Sequence, residues 1–237
     1  MKIISFDTLP STNDFLMELS KKDANSWTVI YAKEQTQGKG YAGNQWQVKA
    51  NENLTFSLLI KSDLSYAELI YLNQWVARSI QRVLVKYLGH VCIKWPNDII
   101  LNDKKVCGVL IENYKHQQQM NSVIGIGLNV NQTDFNQLPN ATSMALETAK
   151  TYDIMTILTN LVDELKNSYS LLENRQFEQI SLEYNQFLYR RDILSTFKIQ
   201  DEVKKGIIRK ATNQGTLIVE FDGIEQEFLH KQIELIF

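Results

Sequence analysis

The sequence predicts an α+β fold: a mixed β-sheet with helices packed on it, plus a small C-terminal antiparallel β-barrel. Three observations carry that prediction. Segments of helical and strand period alternate irregularly through the first half, not in a regular βαβ winding. Glycines and prolines are spread unevenly, with no glycine between Gly127 and Gly206 and the last proline at Pro139. A helical stretch therefore separates a loop-rich first half from a glycine-marked tail. From about residue 195 the apolar period drops to two. The expected domains are 1–190 and 191–237.

Taken in order, Lys2–Phe6 reads as a short strand. Ser11 or Thr12 then caps a helix reaching about Ser20, with Phe15, Leu16 and Leu19 on its apolar side. Trp27–Ala32 is strand-like, and Asn53–Ile60 alternates Leu54, Phe56, Leu58 and Ile60 with Thr55 and Ser57, the pattern of a half-buried strand. Leu69, Leu72, Val76, Ile80, Val83 and Tyr87 recur at helical spacing up to Gly89, which ends that helix. Strands follow at about 91–95, 98–102, 104–112 and 122–130. Ile154–Leu172 and Glu178–Tyr189 read as two helices closing over the sheet. In the tail, alternating runs flank Asp222-Gly223, a hairpin signal because both turn residues must adopt positive φ.

The 237 residues carry a formal net charge of −2 and are 44% hydrophobic, which excludes a disordered chain and leaves ample material for a core. The balanced charge argues against a protein built to coat nucleic acid or an anionic membrane. No apolar run approaches the roughly 20 residues that span a bilayer, and the N-terminus lacks the pattern of a signal peptide. Cys92 and Cys107 read as reduced core residues, and the expected location is the cytoplasm. His90, His116 and His230 are isolated, without zinc-ligand spacing, so no protein metal site is expected.

Five segments could carry chemistry. Gly38, Gly40 and Gly43 satisfy GxGxxG, but the stretch runs through Trp46 into a strand instead of opening a helix, which rejects a dinucleotide-binding turn. What remains is either a mobile hairpin or an anion-binding strip, with Lys39 supplying charge and Trp46 a face for a purine. Lys94-Trp95-Pro96-Asn97-Asp98 is a rigid corner between strands, structural by default but able to hold Lys94, Asn97 and Asp98 at one sheet edge. Lys104 and Lys105 precede an apolar strand containing Gly108, where a ligand could lie against the backbone. Gly125 and Gly127 interrupt another apolar strand, so something packs closely there, with Asn129 offering an amide. Ser11-Thr12-Asn13-Asp14 is by default a helix cap.

In their order and spacing these segments resemble biotin protein ligases, whose members show STN near the start, then GRGRRGxxW, KWPND, KxxGIL and GxGxN. The match covers about residues 1–131, and KWPND is retained in full at 94–98. The resemblance implies an SH3-like C-terminal barrel and a two-step ATP-dependent reaction. Biotin's carboxylate attacks the α-phosphate of ATP, helped by Mg²⁺. A lysine of a biotin carboxyl carrier domain of a carboxylase then attacks the adenylate. It further implies that Ser11, Thr12, Asn13, Gln35, Lys39, Gly40, Tyr41, Lys105 and Gly108 bind biotin, and that Lys39, Gly40, Trp46, Lys94, Asn97 and Asn129 bind ATP. Lys105, Lys39 and Asp98 would be the catalytic groups, Asp98 receiving or orienting the acceptor's proton. Lipoate or octanoate ligases of the same fold, and a non-catalytic biotin-binding module, are the competing readings.

The loop departs from the family pattern. Lys39, Tyr41 and Ala42 stand where arginines are usual, so a bidentate fork and two charges are lost. Faster escape of the adenylate, or another cation holding it, is the expected consequence. A chain starting this close to the catalytic motifs leaves no room for an N-terminal winged helix, so no sequence-specific DNA binding is expected. The oligomeric state is not legible, with a homodimer among the options.

Overall fold

The computed structural model describes residues 2–22, 24–40, 43–46, 49–116, 118–135 and 138–236. In chain order the strands and helices are β1 (Lys2–Leu9), α1 (Thr12–Ser20), β2 (Thr28–Gln35), β3 (Leu54–Ser62), α2 (Leu69–Leu88), β4 (Cys92–Lys94), β5 (Asp98–Leu101), β6 (Lys104–His116) and β7 (Gln119–Leu128). Then come α3 (Met144–Thr148), α4 (Ile154–Ser168), α5 (Ser170–Glu173), α6 (Phe177–Gln186), β8 (Leu194–Ile199), β9 (Glu202–Ala211), β10 (Leu217–Phe221), β11 (Ile224–Phe228) and β12 (Glu234–Ile236). The chain divides into two compact units, Met1–Tyr66 with Lys104–Val162 and Ala67–Asp103 with Asp163–Phe237. No helix among the described residues is long and apolar enough to cross a membrane.

In the first unit the strand order is β1-β2-β3-β7-β6. β1 and β2 are parallel and the remaining pairs antiparallel, so the sheet is mixed as expected. Helix α1 begins where Ser11, in extended geometry, turns its hydroxyl to the backbone N–H of Asp14. Its apolar side seats Leu16 against Leu9, Ile30, Ala32, Leu59 and Val123. Phe15 meets Phe6 edge-on, ring centroids 4.8 Å apart. That packing fixes α1 on one face of the sheet and fixes where its first residues fall.

Strand β3 corrects the expectation of a half-buried strand. Every residue from Leu54 to Ile60 is buried, Thr55 and Ser57 included. The strand is central, so its polar side meets protein instead of water. Thr55 donates to the Ala32 carbonyl at 2.8 Å, and Ser57 meets the start of α1.

In the second unit α2 runs its full length to Gly89, whose φ of 76° ends the helix. Trp75, Val76, Ile80 and Leu84 are buried along it, and the Trp75 indole N–H donates to Ser168 at 2.9 Å. The expected single helix over 154–172 is two: α4 ends at Ser168 and α5 starts at Ser170. Ser168 turns its hydroxyl back to the Glu164 carbonyl at 2.8 Å where α4 ends. The C-terminal strands form a separate antiparallel sheet ordered β11-β10-β9-β8-β12. Asp222 and Gly223 take φ of 51° and 82°, with Phe221 paired to Ile224, which is the hairpin foreseen. The hydrogen-bonded order shows a sheet; the closure of a barrel is not part of it. Cys92 and Cys107 form no disulfide.

Candidate active site

Successive residues of a strand face opposite sides, so Gly125 and Gly127 of β7 share one face. Register sets Ser57 and Leu110 beside Gly125, and Thr55 and Gly108 beside Gly127. Three glycines on three adjoining positions thus clear a trough in the sheet. It is filled by other parts of the chain. A methyl at Gly125 would overlap the Asn13 carboxamide oxygen, and one at Gly127 would overlap the Trp46 ring. At Gly108 it would stand 3.0 Å from Cε and Nζ of Lys105 and 3.2 Å from Trp46. The close approach inferred from glycines in apolar strands is therefore real, and Asn13, Trp46 and Lys105 make it.

Around Asn13 the polar groups satisfy one another. The Thr12 N–H and hydroxyl donate to Oε1 of Gln35 at 2.7 and 2.9 Å. The Ser57 hydroxyl lies 2.6 Å from Oδ1 of Asn13 and 2.8 Å from Oγ1 of Thr12, one proton for two acceptors. Nδ2 of Asn13 donates to Glu112 at 2.8 Å. Removing one member would leave a buried partner unpaired, at about 1–3 kcal/mol. No local signal in the sequence marks Ser57 or Glu112 for this mesh. Ser57 looked solvent-facing, and Glu112 is 99 residues from the Asn13 it meets.

The glycine-rich stretch is a tight hairpin. The Trp46 N–H donates to the Gly38 carbonyl at 2.9 Å, Lys39 bridges Gln45, and the Gly40 N–H donates to the Asn44 carbonyl at 2.7 Å. Tyr41 and Ala42 lie outside the described residues. Lys39 reaches Oδ1 of Asp14 at 2.5 Å, and that hydrogen bond raises its pKa above the ordinary lysine value. Trp46 is half-buried, its indole N–H has no partner, and Nζ of Lys105 sits 5.7 Å from its ring centroid. The Lys105 backbone is bracketed by Asn140 and Thr142, at 2.7 and 3.0 Å. Asn129 secures that bracket, its Nδ2 donating to the Thr142 carbonyl at 2.9 Å and its own carbonyl accepting from Met144 at 3.1 Å. In the first unit, then, Ser11, Thr12, Asn13, Gln35, Lys39, Gly40, Trp46, Lys105, Gly108 and Asn129 all sit on or beside one sheet face.

Lys94, Asn97 and Asp98 belong to the second unit. Lys94 pairs with Asp98 across the β4–β5 hairpin, and Trp95-Pro96-Asn97 turns between them with a cis Trp95–Pro96 peptide. The Pro96 carbonyl accepts from Nδ2 of Asn73 at 3.0 Å and from the Tyr184 hydroxyl at 2.9 Å, so two helices clamp the corner by its backbone. Burial, and then the charge of Asp98, push the Tyr184 hydroxyl far above its ordinary pKa. Asn97 is buried. Lys94 and Trp95 line a cavity of about 310 Å³ together with His230, Lys231 and Phe197. The Trp95 and His230 rings lie 5.6 Å apart, and burial, then Lys231, lower the His230 pKa. Among the described residues no group of His, Cys, Asp and Glu gathers that could hold a metal ion.

A glycine-cleared sheet face, roofed by a helix start and a tryptophan loop and flanked by Lys39 and Lys105, is the candidate site. The chain belongs to the biotin/lipoate A/B protein ligase family, whose model matches residues 5–129. The bifunctional ligase/repressor BirA of Escherichia coli is 30% identical over 239 residues, covering 96% of this chain and 72% of that protein. The protein of the same name from Bacillus subtilis is 28% identical over 232 residues, covering 90% and 70%. Among solved structures, the biotin protein ligase from Aquifex aeolicus in complex with biotin and ATP superposes with a TM-score of 0.82 at 21% identity. That match covers 99% of this chain and 98% of that one, and it shows the fold.

Proposed function

We propose that this chain is an ATP-dependent biotin protein ligase, forming a C–N bond between biotin and a lysine of a biotin carboxyl carrier domain. The observation that carries the reading is the trough at Gly108, Gly125 and Gly127, which brings Asn13, Trp46 and Lys105 onto one face. In the first step a carboxylate oxygen of biotin attacks the α-phosphorus of ATP. The bond to pyrophosphate breaks and biotinyl-5′-adenylate forms. Two anions must meet, so cations in fixed positions lower the barrier. Lys39 and Lys105 are our assignment for the carboxylate and α-phosphate, with Gly40 and Tyr41 along the loop. Ser11, Thr12, Asn13 and Gln35 would read the ring end of biotin, and Gly108 would act through Lys105 and Trp46, which pack against it.

For the nucleotide we assign Trp46, whose ring would offer a face to the purine, and Lys94 with Asn97. Asn129 would act through the 140–144 bracket it anchors. Mg²⁺ is assigned to the substrate as MgATP, since that ion is commonly held by nucleotide phosphates with only one or two carboxylates. In the second step the acceptor's neutral amine attacks the adenylate carbonyl, the amide forms and AMP leaves with the bonding pair. The amine, with a pKa near 10.4 in water, must first shed a proton, and Asp98 is our assignment for receiving it; the nitrogen's second proton passes to solvent as the amide forms.

We place this chemistry in residues 1–190, supported by a family match lying wholly within them, and treat 191–237 as a small accessory β domain. Dependence on ATP and two cysteines without a disulfide support work in the cytoplasm. The test is direct: the protein, MgATP, biotin and a carboxyl carrier domain should give a biotinylated acceptor. No acceptor labelling with biotin, or equal labelling with lipoate, would contradict the assignment.

A further inference from the structure

Between Glu34 and Trp46 the sequence supplies one cation, Lys39. Its ammonium is held by Asp14, 2.5 Å away, and both side chains are about half exposed, at 48% and 49%. Asp14 lies one residue beyond Asn13, which fills the trough, so the loop's cation is parked at the mouth of the site by the same helix turn that lines it. We propose that Asp14 is a positioning residue that competes with the ligand's phosphate for Lys39. This rests on the biotin-ligase reading.

An anion entering beside Lys39 finds the ammonium already shared with a carboxylate, and like charges 4 Å apart repel. Either the phosphate displaces Asp14 or it accepts a weakened contact with Lys39. An exposed ion pair is a weak competitor, so the exchange is cheap and fast. Asp14 thereby holds the Lys39 ammonium when the site is empty, and shortens the residence of the anionic intermediate when it is full. Asp14 is not needed to start the helix, because α1 uses its backbone N–H with Ser11 as the cap, and Asp14→Asn keeps both.

The test is the dissociation rate of biotinol-5′-AMP, a non-reactive phosphodiester that mimics the adenylate. Asp14→Asn should slow its release about two- to fivefold, and Asp14→Ala should do the same. Against a Lys39→Ala background the substitution should change nothing, which a general effect on helix α1 would not produce. Release as fast as or faster than the parent's in Asp14→Asn, or an equal gain without Lys39, overturns the proposal. Failure of the parent chain to bind the phosphodiester at all would instead overturn the biotin-ligase reading, and this proposal with it.

Discussion

The trough of the first unit and the tryptophan–proline corner of the second are held in different ways. At the trough, side chains hold side chains: Thr12, Asn13, Gln35, Ser57 and Glu112 form one connected mesh, and Lys39 leans on Asp14. At the corner, helices hold backbone: Asn73 and Tyr184 both bind the Pro96 carbonyl. Substitution at the trough should therefore change the chemistry, because the paired atoms are those that would face a ligand. Substitution behind the corner should change mainly how firmly a shape is kept.

The largest contrast is expected at Lys105. Lys105→Ala should lower acceptor labelling about a hundredfold or more, in the range for loss of a group aimed at developing charge, with the far-ultraviolet circular dichroism unchanged. If labelling survives, the trough is not where charge develops. Next, Lys39→Arg restores the fork that the loop lacks. One more charge-assisted contact, worth about 1.5–3 kcal/mol, should slow release of biotinyl-adenylate about tenfold or more, measured by chase with unlabelled biotin. A faster release would show that the loop's cation does not hold the phosphate.

The corner should answer more quietly. Tyr184→Phe removes one of the two donors to Pro96 and should cost about 0.5–1.5 kcal/mol in urea unfolding, with a smaller effect on labelling than Lys105→Ala. The smallest effect concerns His230. Its folded pKa lies below the unfolded value of 6.5 because burial disfavours the charged ring. The unfolded chain thus binds the extra proton first as pH falls. Stability is fully kept above pH 6.5 and lost progressively below it. The urea midpoint should drop between pH 7.5 and 5.5, and His230→Gln should flatten part of that slope.

Much of this was legible along the chain. Gly125 and Gly127 in an apolar strand announce a close approach, which Asn13 and Trp46 make. Of the two cap candidates, Ser11 and Thr12, the structure uses Ser11, and the stop at Gly89 and the Asp222-Gly223 hairpin, also local signals, are found where expected. What escaped depends on long-range register. Ser57 reads as solvent-facing until β3 is known to be central, and Tyr184 carries no mark of its bond to a carbonyl 88 residues away. Asp14 read as part of a cap until Lys39, 25 residues on, folded back to it. Apolar spacing runs on past Ser168, so it carries no sign of the break between α4 and α5.

If the trough and its lysines join biotin's acid to a nucleotide, biotin-dependent exchange of labelled pyrophosphate into ATP reads that step alone. Exchange should appear only when biotin is added and should nearly vanish in Lys105→Ala. Exchange that ignores biotin, or that runs at the parental rate without Lys105, would contradict it.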